Sequence, residues 1–290
     1  MEAPYHDRFF HARDGLQLYA REYAGDNATS PTVLCLPGLT RNSADFADLA
    51  SDISPRFRVL AVDLRGRGRS ERDPDWHHYQ PGVYVDDVLT LLDHLGVARV
   101  AVIGTSLGGL LAMMLGVTRP ARIAGIVLND IGPEIDPRGA ARIREYAGRL
   151  PPVQTWAQAA DQLRSTYGAA WPDLSPERWD VLTRRSYRES SAGMPELDYD
   201  PKIGEALRQA PATGANLWPL WPSLKSAPML CIRGELSDIL AVSTLERMNR
   251  EKTDLQVVHV ANRGHVPLLD EPQCVDAIKR FLSELDFARG

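Results

Sequence analysis

The chain has 290 residues, of which 44% are hydrophobic and 24% charged, and its formal net charge is −5 at pH 7. This composition is that of an ordinary globular protein, and it excludes collagen-like, coiled-coil and disordered chains. Because no basic stripe with interleaved aromatic residues occurs, the charge pattern gives no reason to expect a nucleic-acid partner.

The N-terminal residues 1–15 predict neither a secretory signal nor a membrane anchor. They lack a basic start, an apolar stretch and a small-residue cleavage site. No window of the chain approaches the ~18 consecutive apolar residues that a membrane span needs. The cysteine count is odd and gives no disulfide framework: Cys35 and Cys231 lie in short apolar runs, and Cys274 lies in a helix-like stretch. We therefore expect a cytoplasmic protein that does not contact a membrane.

Apolar runs alternate with longer amphipathic stretches in the first part of the chain, residues 1–131. The amphipathic stretches predict helices at about 43–53, 81–95 and 106–118. Continuous apolar runs between such helices are typical of parallel strands that are covered on both faces. The pattern predicts a doubly wound α/β core with strands at Thr32–Leu36, Arg58–Val62, Val100–Ile103 and Ile123–Leu128.

The alternation stops at residues 132–225 and resumes at residues 226–290. No strand-like run is evident in the middle segment, which instead holds five of the six tryptophans, at positions 156, 171, 179, 218 and 221. Large aromatic side chains need surfaces to bury against, so we expect a helical cap inserted into the core, with tryptophans that line a substrate cavity or hold the cap's own small core together. After it, strands are predicted at Met229–Arg233 and Leu255–Val260, and a helix at Asp270–Leu285.

The sequence Gly-Thr-Ser-Leu-Gly at residues 104–108 lies between a predicted strand and a predicted helix. A nucleophilic serine on such a tight turn needs glycine on either side, because larger side chains would collide there. The helix N-terminus then faces Ser106, and the Leu107 N–H lies where an oxyanion would form. We predict that Ser106 is a nucleophile.

A serine hydroxyl needs a base to remove its proton, and His265 is the histidine best placed for this role. It follows the last predicted strand and precedes the last helix, and such loops at the carboxyl edge of a parallel sheet are where these folds assemble their sites. The other histidines lack metal-ligand spacing. The sequence therefore predicts a Ser106–His265 pair.

The third member of such a site is a carboxylate that orients the imidazole, and three residues are candidates. Asp238 follows the strand predicted at Met229–Arg233, and we expect it to be the acid. Asp130, which follows the strand at Ile123–Leu128, comes next because its loop could bend towards the histidine. Glu235 is the third candidate.

Five segments in this order, LPGLTRN, VDLRGRGRS, GTSLGG, RGELSD and NRGHVP, resemble the α/β-hydrolase superfamily over nearly the whole chain. The resemblance implies a mostly parallel eight-stranded sheet flanked by helices, with an inserted helical cap. It also implies a second oxyanion N–H from Leu39, after Gly38, although Pro37 stands where relatives commonly have histidine. The arginine-rich loop that follows Asp63 would have an architectural role.

Taken together, these features predict a serine hydrolase that cleaves a small-molecule ester or lactone and uses neither a metal nor another cofactor. A serine at the elbow argues against haloalkane dehalogenase and epoxide hydrolase chemistry. The alternatives are a C–C bond hydrolase of aromatic ring-cleavage products, with Arg138, Arg142 and Arg144 as possible carboxylate ligands, a perhydrolase related to cofactor-free haloperoxidases, and a ligand-binding receptor of the same fold. The sequence leaves monomer and homodimer open.

Overall fold

The computed structural model describes residues 3–25, 27, 29–210 and 216–288. These residues form ten strands: β1 (His6–His11), β2 (Gln17–Tyr23), β3 (Thr32–Leu36), β4 (Arg58–Asp63), β5 (Val100–Thr105), β6 (Ile123–Asn129), β7 (Tyr187–Glu189), β8 (Pro195–Leu197), β9 (Met229–Gly234) and β10 (Gln256–Val260). They also form the helices α1 (Ala47–Ile53), α2 (Pro81–His94), α3 (Leu107–Thr118), α4 (Pro137–Tyr146), α5 (Trp156–Tyr167), α6 (Pro176–Ser186), α7 (Lys202–Gln209), α8 (Val242–Glu251) and α9 (Pro272–Glu284). No helix in these ranges has the length and apolar character to cross a membrane.

Eight strands form one mostly parallel sheet in the order β1-β2-β4-β3-β5-β6-β9-β10. Only β2 runs antiparallel to its neighbours, pairing with β1 on one side and β4 on the other. Strands β3, β5 and β6 are buried along their whole length. Helices α2 and α3 pack on one face of the sheet, and α1 and α9 pack on the other. The predicted fold class, a mostly parallel eight-stranded sheet flanked by helices, is confirmed.

The segment between β6 and β9 contains α4 to α7 and a short 3-10 helix at Trp218–Leu224. The sequence showed no strand here, yet β7 and β8 pair as a small antiparallel hairpin of three residues each, too short to leave a periodic signal. Trp171 and Trp179 belong to a separate hydrophobic cluster within this segment. Trp218 and Trp221 instead pack into the main core, so the aromatic residues divide between two environments.

The arginine-rich loop after β4 holds an ion-pair network inside the protein. Arg65 is about 1% exposed and binds Asp87 through two hydrogen bonds of 2.7 Å. Its Nη1 also donates to Asp14 and Asp73, at 2.8 and 2.6 Å. Asp14, Asp73 and His78 have spacing that could suit a metal ion, but the Arg65 guanidinium already supplies the positive charge between the two carboxylates. The network is architectural, since it joins the loop to α2.

A hydrogen bond between Asn42 Nδ2 and Asp198 Oδ2, 2.9 Å long, joins the segment between β6 and β9 to the core. Burial and, to a smaller extent, the nearby Asp63 carboxylate raise the pKa of Asp198 to about 6, although the charges of Arg188 and Arg72 oppose this rise. The folded protein thus holds this proton more tightly than the unfolded chain does. Asp198 therefore makes the free energy of unfolding fall as the pH rises from about 4 to about 6.

The isosteric change Asp198→Asn is expected to remove this fall, which amounts to roughly 2–3 kcal/mol. Urea unfolding of wild type and variant at pH 4 and at pH 7 measures it. We expect the variant to gain stability relative to wild type only at the higher pH. If the free energies of unfolding of the two proteins differed by the same amount at both pH values, Asp198 would ionise normally in the folded state.

Candidate active site

Ser106 occupies the single-residue turn between β5 and α3, with φ 52° and ψ −114°. A non-glycine residue in this backbone region is strained, and such strain persists only where the surrounding structure imposes it. The neighbouring glycines explain how the turn is accommodated: a Cβ on Gly104 would overlap the Gly108 carbonyl, and a Cβ on Gly108 would overlap the Leu36 carbonyl. The strand and helix are therefore packed closely enough to hold Ser106 in place.

His265 lies in the loop between β10 and α9, and its side chain is largely buried. Its Nε2 is 2.8 Å from Ser106 Oγ. Two hydrogen bonds hold the backbone next to it: Asn129 Nδ2 donates to the Pro267 carbonyl at 2.9 Å, and Trp171 Nε1 donates to the Val266 carbonyl at 2.7 Å. The serine and histidine predicted from the sequence are thus brought into hydrogen-bond contact.

The other ring nitrogen of His265, Nδ1, is 2.8 Å from Asp130 Oδ2. Asp130 follows β6, is fully buried, and has a positive φ of 55°. Its carboxylate also accepts hydrogen bonds from Gly234 N at 2.9 Å and from Ser237 Oγ at 2.6 Å. These partners satisfy the buried carboxylate and fix it against the imidazole, so Ser106, His265 and Asp130 form a continuous hydrogen-bonded chain.

The expectation that Asp238 is the carboxylate partner of His265 is wrong in this geometry. Asp238 instead pairs with Arg142 of α4, with Nε–Oδ2 and Nη2–Oδ1 distances of 2.6 and 2.8 Å. Burial alone would raise the pKa of Asp238, but the hydrogen bonds and charge of Arg142 outweigh burial and lower it. Glu235 faces another way and accepts from the Asn262 backbone N–H. The alternative acid, Asp130, is the residue that meets the histidine.

The two predicted oxyanion residues lie on either side of Ser106. Leu107 is the first residue of α3. Leu39 follows Gly38, which packs beside the Ser106 side chain, and the Leu39 carbonyl accepts a hydrogen bond from Arg67 Nε at 2.9 Å. This bond anchors the loop after β3 next to the serine. The N–H groups of Leu39 and Leu107 remain the predicted donors to an oxyanion.

Two cavities meet at Ser106 and Leu39. The smaller has a volume of about 60 Å³ and is lined partly by the histidine loop and by residues of α5 and α6. The larger has a volume of about 720 Å³, and its lining is mostly aliphatic, with residues such as Leu107, Ile131 and Ile203. We call them the small compartment and the large compartment. A nucleophile at the junction of a small and a large cavity can act on a bond that links two unequal groups.

Comparison with known proteins gives a consistent set of matches. The sequence model of a family described as alpha/beta hydrolase fold matches residues 31–272. A 3-hydroxybutyrate-oligomer hydrolase from Cupriavidus necator is 32% identical over 276 residues, which cover 93% of this chain and 94% of that protein. A 2-(acetamidomethylene)succinate hydrolase from Mesorhizobium japonicum is 24% identical and covers 83% of each chain. The crystal structure of an α/β hydrolase from Novosphingobium aromaticivorans has a TM-score of 0.91 at 42% identity, and the match covers 98% of this chain and 99% of that one.

Proposed function

The chain belongs to the α/β-hydrolase family, and from this premise we propose that it is a serine hydrolase that cleaves an ester of a small molecule. The hydrogen-bonded chain Ser106–His265–Asp130 is the observation that carries the proposal. A buried carboxylate, an oriented imidazole and a strained serine are the parts that acyl transfer to water requires. The relative from Cupriavidus necator, named as a hydrolase of 3-hydroxybutyrate oligomers, favours an oligoester as the substrate.

The proposed reaction has two steps. In the first, Ser106 Oγ attacks the ester carbonyl while His265 Nε2 takes its proton, and Asp130 stabilises the resulting imidazolium. The N–H groups of Leu39 and Leu107 bind the oxyanion, and removing one such donor typically costs about 10²–10³-fold in rate. The ester C–O bond then breaks, and His265 returns the proton to the leaving oxygen. In the second step, water deprotonated by His265 attacks the acyl carbon, the bond from that carbon to Ser106 Oγ breaks, and His265 returns the proton to Oγ as the acid leaves.

The experiment is a substrate comparison with wild type and Ser106→Ala. The panel contains p-nitrophenyl esters of increasing acyl length, a lactone, 3-hydroxybutyrate oligomers and a vinylogous 1,5-diketone. We expect many turnovers on esters, and a loss of about 10⁴–10⁶-fold in kcat for Ser106→Ala because the nucleophile is removed. Ser191→Ala, an exposed serine in the turn between β7 and β8, is the matched control and should keep wild-type activity.

The other outcomes each select a different function. Preferred cleavage of the diketone would identify a C–C bond hydrolase, and preferred cleavage of the lactone would identify a lactonase. Tight binding of an ester without repeated turnover would identify a receptor. Full activity of Ser106→Ala would contradict the serine mechanism itself.

A further inference from the structure

The two compartments differ in their access to the proton donor of the reaction. Ser106 borders both, but among the described residues His265 borders only the small compartment. If His265 is the general acid of the proposed ester hydrolysis, it must lie within hydrogen-bond reach of the leaving oxygen. The leaving group therefore occupies the small compartment, and the acyl group occupies the large one.

Three arginines, Arg41, Arg178 and Arg185, and one acidic residue, Asp45, border the small compartment. Arg41 pairs with Asp45, and its Nε–Oδ2 distance is 2.7 Å. The other two arginines pair with carboxylates outside the lining: Arg178 with Asp48 and Asp270, and Arg185 with Asp48. The three guanidiniums and these three carboxylates balance in charge, but of the carboxylates only Asp45 borders the compartment, so guanidinium groups outnumber carboxylates at its surface.

Arg178 retains a hydrogen-bond donor that the protein does not use. Its Nε is buried and has no hydrogen-bond partner among the residues that the structure describes. A buried donor without a partner is costly, and a guanidinium N–H bonds most strongly to a carboxylate. Tyr146 and Tyr167 add hydroxyl groups to the same lining; these are 3.4 Å apart, so their mutual hydrogen bond is long. Arg178 and the two tyrosines therefore give an otherwise largely apolar compartment donors for an acidic group.

The two volumes set the size of each group. A cavity needs roughly 10–15 Å³ to admit a single water, so the small compartment, at about 60 Å³, has room for one short group but not for a chain of several units. A single short hydroxy acid is a group of this kind. The large compartment, at about 720 Å³, has room for several such units or for a long acyl chain. Its aliphatic lining, which includes Leu110 and Ile239, suits the less polar remainder of an oligoester.

We propose that the leaving group is a single hydroxy acid with a free carboxylate, so that the enzyme shortens oligoesters one unit at a time from the carboxyl end. This proposal rests on the ester hydrolysis proposed above. Ser106 Oγ bonds to the carbonyl carbon of the penultimate unit, and the bond from that carbon to the hydroxyl oxygen of the last unit breaks. That oxygen takes the proton from His265, and the carboxylate of the departing unit lies against Arg178. Water then releases the shortened oligomer from Ser106.

A labelled trimer tests the direction of cleavage in the wild-type protein. The substrate is a 3-hydroxybutyrate trimer that carries ¹³C in its carboxyl-terminal unit, and the products are followed by mass spectrometry at early times. We expect the label to appear first in free monomer. Initial appearance of the label in the dimer would overturn the proposal.

Masking the carboxylate tests its recognition. The methyl ester of the trimer has the same chain and the same scissile bond but no negative charge. We expect kcat/KM for the free acid to exceed that for the methyl ester by about tenfold or more, as is typical of a charge-assisted hydrogen bond. Equal values for the two substrates would overturn the proposal.

The variant Arg178→Gln tests whether the small compartment is the source of the preference for the free acid. It should reduce the ratio of kcat/KM between free acid and methyl ester towards one, mainly by raising KM for the free acid. Arg138→Gln is the matched control, because Arg138 is an exposed arginine of the same inserted segment that does not line the compartment; its ratio should equal that of wild type. Since Arg178 also pairs with Asp48 and Asp270, thermal unfolding of the variant is measured. If the glutamine variant does not fold, Arg178→Lys is used: it keeps the charge but lacks the Nε–H donor, so the ratio should again fall, and an unchanged ratio would overturn the proposal.

The outcomes separate this inference from the proposed function. Turnover of neutral p-nitrophenyl esters that is lost in Ser106→Ala, together with no preference for a free carboxylate, would leave the serine mechanism in place and overturn only the assignment of the leaving group. No turnover of any ester would overturn both.

Discussion

Asp130→Asn is expected to lower kcat for ester hydrolysis by about 10⁴-fold, whereas Asp238→Asn should lower it by less than about tenfold. The carboxylate of Asp130 accepts a hydrogen bond from His265 Nδ1–H, whereas the amide of an asparagine would donate to Nδ1. The imidazole proton would then lie on Nε2, which could no longer accept the proton of Ser106. Asp238 is bound to Arg142 instead, and its charge acts on His265 only at a distance.

The measurement is steady-state kinetics on a p-nitrophenyl ester, with thermal unfolding as a check that each variant folds. Both substitutions remove one negative charge and preserve side-chain shape, so they are matched. The reverse ranking, with Asp238→Asn the more severe, would return Asp238 to the role that the sequence first suggested.

The second large effect concerns stability at the nucleophile turn. Gly108→Ala is expected to lower the free energy of unfolding by about 3 kcal/mol, because the added Cβ would overlap the Leu36 carbonyl in β3. A backbone carbonyl in a buried parallel strand cannot move aside as the end of a flexible side chain can. The strand, the helix or the Ser106 turn would have to shift, and activity should fall with stability.

Gly82→Ala is the control for this substitution. Gly82 lies in the first turn of α2, where a Cβ would meet no heavy atom within 4 Å. Alanine has the higher helix propensity, so this change should leave stability unaltered or raise it by up to about 1 kcal/mol. Urea unfolding of both variants measures the difference. Equal stability of Gly108→Ala and wild type would show that the elbow is packed less closely than the structure indicates.

The residues with a strong local signal could be predicted from the sequence. Ser106 directly follows a strand that is buried along its whole length, and the two glycines around it indicate a tight turn. His265 lies in the loop after β10, where it comes before the last helix. A strand such as β3, with all five residues buried, gives a short, mostly apolar run from which the strand can be predicted. By contrast, β1 is exposed at five of its six positions, so its composition gives no strand signal, and it forms because it pairs with β2.

The choice of acid could not be made from the sequence, because it depends on contacts between distant segments. Asp130 and Asp238 both follow strands that end at the same edge of the sheet, and β6 and β9 are direct neighbours. What separates them is the positive φ of Asp130, its hydrogen bonds from Gly234 and Ser237, and the capture of Asp238 by Arg142 in α4. The pairing with Arg142 spans 96 residues, and local pattern carries no information about it.

Ser106 is expected to carry the acyl group between the two halves of the reaction. The most direct test of this role is rapid quenching of the wild-type protein with a p-nitrophenyl ester, followed by peptide mapping by mass spectrometry. We predict an acyl adduct on the peptide that contains Ser106, formed in proportion to the initial burst of p-nitrophenol and absent from Ser106→Ala. Sustained ester turnover with no adduct on Ser106, or with the adduct on another residue, would contradict the account.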